Sequence, residues 1–241
     1  GVWARTLLET PEGRDTTTQV HWLQTEGWHA DLRVPAGVDP ATPEGRAQLQ
    51  GFCGLTRITP GAGGQPDVCT WHRRWDVQPP RSTPDAGTMV FETPERVIET
   101  GVHGRYLEVW ERLPGSLGRR IALARRDAHG MPTSEQLLFC GRYLMHLRPR
   151  TSAWPADLRT DDTLQDLVQR HPAQAADLLD FVIAFGSIDP RHHDWHIERA
   201  SVPALEGTRC PLHLQRLGMD LATVADHGPL TGAWEVLEWS E

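Results

Sequence analysis

Asp67-Val68-Cys69-Thr70-Trp71-His72-Arg73-Arg74-Trp75-Asp76-Val77 runs into a proline-rich turn, then Met89-Val90-Phe91-Glu92, then Gly101-Val102-His103-Gly104-Arg105-Tyr106-Leu107-Glu108-Val109-Trp110. Large side chains recur here with period two, the period of a strand with one covered face. Cys69, Trp71, Trp75 and Val77 fall on the face that also carries Arg73. Val102, Tyr106 and Trp110 fall on the face that carries Glu108. One charge aimed into each aromatic face predicts a barrel that encloses either a polar ligand or a buried ion pair.

The pattern continues on both sides. Thr16 to Gln24 and Trp28 to Val34 read as strands, with Trp28, Ala30, Leu32 and Val34 on one apolar face. Pro35 to Pro43 is a loop and Gly45 to Gln50 a short helix. Phe52 to Ile58 is a strand, followed by a glycine-rich turn that lacks the lysine of a phosphate loop. Further strands are expected at Ile121 to Arg126, Leu137 to Arg148, Phe181 to Ile188, Trp195 to Ser201 and Gly232 to Trp239. In the second of these, Leu137, Phe139, Gly141, Tyr143, Met145 and Leu147 form the apolar face. Asp161-Asp162-Thr163 ahead of Leu164, Leu167 and Val168 is a helix start, interrupted at His171-Pro172 and resumed from Ala173 to Leu179. The sum is nine to eleven strands and about one helix-turn-helix. Short, evenly spaced strands favour closed barrels, because closure removes sticky edges. A boundary near Pro114 to Gly118 divides the chain into a first barrel over 1–115 and a second over 116–241, with a helical insertion near 161–180.

At 241 residues the chain can bury a large core. No apolar run approaches the ~20 residues of a membrane-spanning helix, and Gly1-Val2-Trp3-Ala4-Arg5 shows no signal pattern, so a soluble cytoplasmic protein is expected. The net charge of −8 and the want of a basic stripe argue against nucleic acid as a partner. Neither lysine nor asparagine occurs, which fits a GC-rich bacterial genome and excludes Schiff-base lysine chemistry. Cys53, Cys69, Cys140 and Cys210 are unpaired in spacing and are expected as reduced, mostly buried thiols.

Arg73 and Glu108 lead the candidate site residues. As a ligand clamp, Arg73 would hold an anionic group and Glu108 would act as acceptor or base, with Tyr106 as acid. The structural alternative has them pair with each other, and it is favoured because an unpaired buried charge is costly. Trp71, Trp75, Trp110 and Tyr143, with Arg142, are the candidate ligand-binding residues, in a barrel of the size that just admits one small molecule. The run Arg191-His192-His193-Asp194-Trp195-His196-Ile197-Glu198 holds ingredients of a metal site. It reads instead as a turn entering a strand with solvated histidines, so neither metal nor cofactor is expected. His72 and His103 fall on outward faces.

Four short segments, Tyr106-Leu107-Glu108-Val109-Trp110, Cys140-Gly141-Arg142-Tyr143, Phe181-Val182-Ile183-Ala184-Phe185-Gly186 and Trp234-Glu235-Val236-Leu237-Glu238-Trp239, occur in an order that resembles the HRI family, a two-barrel, lipocalin-like (calycin) family of fungi and bacteria. The resemblance covers about residue 17 to the end and implies a pair of lipocalin-like barrels. It implies no catalytic residues, and the long proline-arginine loops here depart from the family's pattern. The expected function is binding of a small apolar or aromatic molecule with a polar or anionic group. The alternatives are a cofactor-independent lyase or isomerase on the same scaffold, and an interaction module with a packed interior. The oligomeric state is left open.

Overall fold

The computed structural model describes residues 1–225 and 228–241. The chain is mainly antiparallel β, in two sheets that each curl into a barrel. The first takes β1 (Val2–Thr10), β2 (Gly13–Asp15), β3 (Gln19–Gln24), β4 (Trp28–Val34), β5 (Gln50–Thr59), β6 (Val68–Asp76), β7 (Asp85–Thr93), β8 (Arg96–Gly101) and β9 (Leu107–Arg112). β1 pairs with both β3 and β9, so β1 and β3–β9 close an eight-stranded barrel, and β2 hangs on the far end of β1.

The second sheet takes β10 (Arg120–Arg126), β11 (Pro132–Cys140), β12 (Tyr143–Arg148), β13 (Val182–Ile188), β14 (Asp194–Ala200), β15 (Arg209–Pro211), β16 (His213–Arg216), β17 (Leu221–Ala225) and β18 (Gly232–Ser240). Its order, β15-β14-β13-β12-β11-β10-β18-β17-β16, nearly closes, with Leu212 carrying the chain from one edge strand to the other. Helices α1 (Pro43–Ala47), α2 (Leu164–Arg170) and α3 (Ala175–Leu178) lie outside the sheets. Thr163 and Asp166 form a reciprocal cap at the start of α2, bonding each other's backbone N–H groups. Among the described residues no helix is long and apolar enough to cross a membrane, and no disulfide forms.

Several expectations change. The described strands number eighteen, because the run Leu137 to Arg148 is a hairpin and β1, β2, β8, β15, β16 and β17 lie where no strand was expected. Gly101 to Trp110 is not one strand but the end of β8, a turn over 102–106 and the start of β9, so Val102 is exposed in that turn and shares no face with Glu108. Leu137 to Arg148 turns at Gly141, whose φ of +55° suits a residue without a side chain. Phe139 therefore points into the second barrel, whereas Tyr143, Met145 and Leu147 point out of it. The first helix covers Pro43–Ala47 rather than 45–50, set by its Thr42 cap and by proline at its first position.

The largest hydrophobic cluster lies between the barrels. Trp28, Ala30 and Leu32 on the outer face of β4 meet Leu138, Tyr143, Met145, Ile183 and Phe185 of the second barrel, and α2 covers the joint with Leu164 and Leu167. Burying an apolar face contributes roughly 25 cal/mol per Å2 wherever it is buried, so β4 turns its apolar face outward to its neighbour. Its other face, His29, Asp31 and Arg33, is thereby sent inside the first barrel. Glu238 of β18 seals the same joint. Its carboxylate accepts from Thr25 Oγ1 at 2.8 Å, Glu26 N at 2.6 Å and Gly27 N at 3.0 Å.

Candidate functional site

The interiors of the two barrels differ. The second is filled by Leu123, Leu137, Phe139, Leu144, Trp195 and Trp234. The first has an apolar end built from Trp3, Val20, Trp22, Cys69, Trp71, Val97 and Trp110. Its other end is polar and encloses a cavity of about 250 Å3.

Strand geometry explains which side chains arrive there. In β6 an extra residue sits opposite β5: Cys53 pairs with Trp75 and Gly54 with Arg73. A β-bulge of this kind reverses side-chain parity beyond it. Cys69, Trp71 and Arg73 face inward, while Trp75 and Val77 are thrown outward onto the inter-barrel cluster. Gly54 permits the kink, since a Cβ there would lie 2.0 Å from the His72 carbonyl oxygen. A second bulge, between Arg5 and Leu7 in β1, lets Arg5, Leu8 and Thr10 all reach the interior.

The sequence-expected residues separate accordingly. Trp71, Arg73, Tyr106, Glu108 and Trp110 come together around the cavity. Trp75 does not; it lines a neighbouring cleft of about 590 Å3 that includes Arg150 and Trp154. Tyr143 does not either, being stacked on Phe185 between the barrels with its hydroxyl donating to the Pro114 carbonyl at 3.1 Å. Arg142 lies on the second barrel. His72 and His103 are exposed. In the 191–198 run His192 bonds Asp189 at 3.3 Å, and Trp195 and Ile197 enter the second core. Among the described residues no three metal-capable side chains gather.

Arg73 and Glu108 are both paired, but not with each other. Arg73 bonds Asp76 at 2.6 Å and also Asp85, with its guanidinium 3.5 Å from the Phe52 ring centroid. Glu108 is held by Arg5 at 2.6 Å and lies 3.5 Å from Arg33, which in turn bonds Asp31 at 2.8 Å. Arg5 also reaches Asp15 at 3.1 Å. Each barrel charge named in the sequence is thus satisfied by a partner on another strand, as a buried charge requires.

Three cavity groups stand apart from these pairs, and the sequence reading missed all of them. Glu99 of β8, 4% exposed, accepts from Tyr106 Oη at 2.8 Å and Trp110 Nε1 at 3.1 Å but makes no ion pair among the described residues. Burial, and then the charge of Glu108 across the β8–β9 ladder, push its carboxyl up to about 8. Burial and Glu99 likewise push the Tyr106 hydroxyl up. Trp22 lines the cavity with its Nε1 buried and without a protein acceptor. Arg81, in the 77–84 loop, stands exposed at the cavity with no ion pair among the described residues. Period two across Arg96–Gly101 would have put Glu99 on the face of Val97, a signal the sequence reading did not use; nothing in a proline-rich loop marked Arg81.

The fold and this cavity define a two-barrel antiparallel β protein with a polar-ended hollow in its first barrel. Among solved structures, the chain is similar to the crystal structure of the uncharacterized protein YLR301w from Saccharomyces cerevisiae, with a TM-score of 0.65 and 12% identity over 100% of this chain and 98% of that one. Likeness at that identity shows the fold alone. No family model matches the chain, and no curated protein does.

Proposed function

We propose that the first barrel receives one small, flat apolar or aromatic molecule that carries a polar or anionic group. The observation that carries this reading is the set of polar groups left over in a cavity whose other charges are paired. Trp22 Nε1 offers a donor, Glu99 an unpaired carboxyl and Arg81 an uncommitted cation. An apolar cavity of roughly 150 Å3 holds benzene, so about 250 Å3 suits one substituted ring. Trp22, Trp71, Trp110 and Phe52 supply the aromatic walls. Arg81, rather than the doubly paired Arg73, is the anchor for a negative group. The hollow also weighs against a fully packed interaction module. Membership of the HRI family belongs to the same proposal, supported by the order of the four resembling segments and by the two-barrel fold that the resemblance implies.

Calorimetric titration with benzoate, phenol and benzylamine tests the reading. Benzoate and phenol should bind and benzylamine should not. Arg81→Gln should weaken benzoate and leave phenol alone. Equal binding of all three, or none at millimolar concentration, would refute it.

The position of Glu99 favours a second reading, acid-base catalysis of the lyase or isomerase type. Glu108 is committed to Arg5, whereas Glu99 keeps its proton near neutral pH and touches Tyr106 in the hollow. Pockets arrange such raised carboxyls for proton transfer. Deuterium exchange at the methyl of acetophenone is the test. Acceleration that Glu99→Gln abolishes supports catalysis, and a rate equal to buffer leaves binding alone.

A further inference from the structure

The second barrel also opens to solvent, through a cavity of about 490 Å3 at one end. Its floor is apolar: Phe139, Ile188 and Leu212 belong to the barrel core, and Leu214 packs against that core. Its rim carries Arg119 from the inter-barrel linker, Arg142 from the β11–β12 turn, His193 from the β13–β14 loop and His213 from β16. Among the described residues no aspartate or glutamate lines it. The chain has 32 acidic residues against 24 basic ones, and the first-barrel cavity is lined by four carboxylates, Asp31, Asp85, Glu99 and Glu108. An arginine-bearing hollow with no acid among its described lining residues is therefore a local reversal of the molecule's charge.

Among the described residues neither arginine is paired with a carboxylate. The Arg142 guanidinium lies 5.3 Å over the Tyr143 ring. That of Arg119 lies 5.2 Å over Phe139 and donates a long bond of 3.4 Å to the Gly141 carbonyl. The acidic influence felt by Arg119 comes from Glu241, outside the lining. On the opposite wall His193 is, among the described residues, the one non-glycine residue with positive φ, at 56°. Its N–H donates to the Asp189 carbonyl at 2.9 Å and its carbonyl accepts from Leu212 N at 2.9 Å. That tie locks the 189–193 turn to the corner between β15 and β16 and sets the His193 and His213 rings 6.5 Å apart. Unusual backbone of this kind, over-determined by its surroundings, recurs at ligand clamps.

From this geometry we infer that the open end of the second barrel binds an amphipathic organic anion. The head group would lie against Arg119 and Arg142, where planar guanidiniums match oxyanions. The apolar body would lie on Phe139, Ile188 and Leu212, with the two histidines as side donors. A volume of about 490 Å3 is that of an ordinary small-molecule cleft. None of these residues belongs to the first-barrel site, so the two readings stand or fall separately.

Octanoate, 1-octanol and octylamine titrated into the full chain, followed by amide chemical shifts and calorimetry, test the inference. Octanoate should bind with shifts at 139–142, 188–193 and 212–214, and more weakly in high salt. Octylamine should not bind. Arg119→Gln with Arg142→Gln should weaken octanoate by roughly tenfold or more and leave octanol unchanged. Arg142→Gln alone, at an exposed position, should show part of that loss in a protein with unaltered circular dichroism. Octanol binding as tightly as octanoate, unchanged affinity in both variants, shifts confined to the first barrel, or no octanoate binding at millimolar concentration would each overturn it.

Discussion

Glutamine in place of Glu99 changes how stability depends on pH, and the size of the change follows from the site. The Glu99 carboxyl is buried with two neutral donors and no cation bonded to it, and its folded value rises from 4.5 to about 8. Between those values the unfolded chain releases a proton that the folded chain keeps. Stability from this group is full below pH 4.5 and falls as pH rises through 8, at about 1.4 kcal/mol for each pH unit inside the window. From pH 5 to 9 the loss is about 4 kcal/mol, taken as an order of magnitude. His21 and His29, pushed down to about 4 and about 3 chiefly by burial, act in the opposite sense, losing stability as pH falls below 6.5. Both proteins share these histidines, so the difference between wild type and Glu99→Gln isolates Glu99. Glutamine's amide nitrogen meets a donor that the carboxylate accepted, which adds a fixed offset but no slope. Urea denaturation at pH 5, 7 and 9 should show the variant gaining about 4 kcal/mol on wild type across the range. A difference that moves by less than about 1 kcal/mol would mean that Glu99 ionises like a surface carboxylate, and the reasoning would fail.

Glu108→Ala leaves Arg5 with Asp15 alone and should cost roughly 3–5 kcal/mol, while Glu108→Leu combined with Arg5→Met should recover most of it; equal midpoints for single and double variants in urea would count against a buried pair. Glu238→Ala removes three accepted hydrogen bonds at the joint between the barrels and should cost roughly 1–3 kcal/mol. Amide exchange at residues 25–27 should rise with it, and unchanged protection there would contradict the role. Gly54→Ala places a methyl against the His72 carbonyl at the bulge and should cost roughly 1–3 kcal/mol in chemical denaturation. A neutral result would show that the β6 bulge relaxes freely.

Much of the architecture was legible because strands advertise themselves by period. The alternation from Val68 to Trp71 and from Leu107 to Trp110 did place Trp71, Arg73, Glu108 and Trp110 inside one barrel. Parity reasoning failed where the backbone inserts a residue. The bulge at Arg73–Trp75 sent Trp75 to the joint, and the bulge in β1 hid Val2–Thr10, the strand that closes the barrel and brings Arg5. Hairpins with very short turns, such as Cys140-Gly141-Arg142-Tyr143, read as continuous strands and carried Tyr143 to the wrong face. β4 misled in another way. Its apolar face reads as interior, yet a second barrel covers it, so the polar face of His29, Asp31 and Arg33 is the inner one. The partner of Glu108, Arg5, comes from a strand distant in sequence that no local pattern pairs with it, whereas the partners of Arg73, Asp76 and Asp85, lie close by in β6 and at the start of β7.

The central claim is that the hollow of the first barrel is a binding site. The direct test is the indole N–H spectrum of protein carrying 15N-labelled tryptophan, with the Trp22 and Trp195 signals assigned by substitution and benzoate added to saturation. The account predicts a shift of the Trp22 signal as its buried Nε1 gains an acceptor, with Trp195 of the second barrel unmoved, and attenuation of that shift in Arg81→Gln. An unmoved Trp22 at saturating benzoate, or movement confined to Trp195, would contradict it.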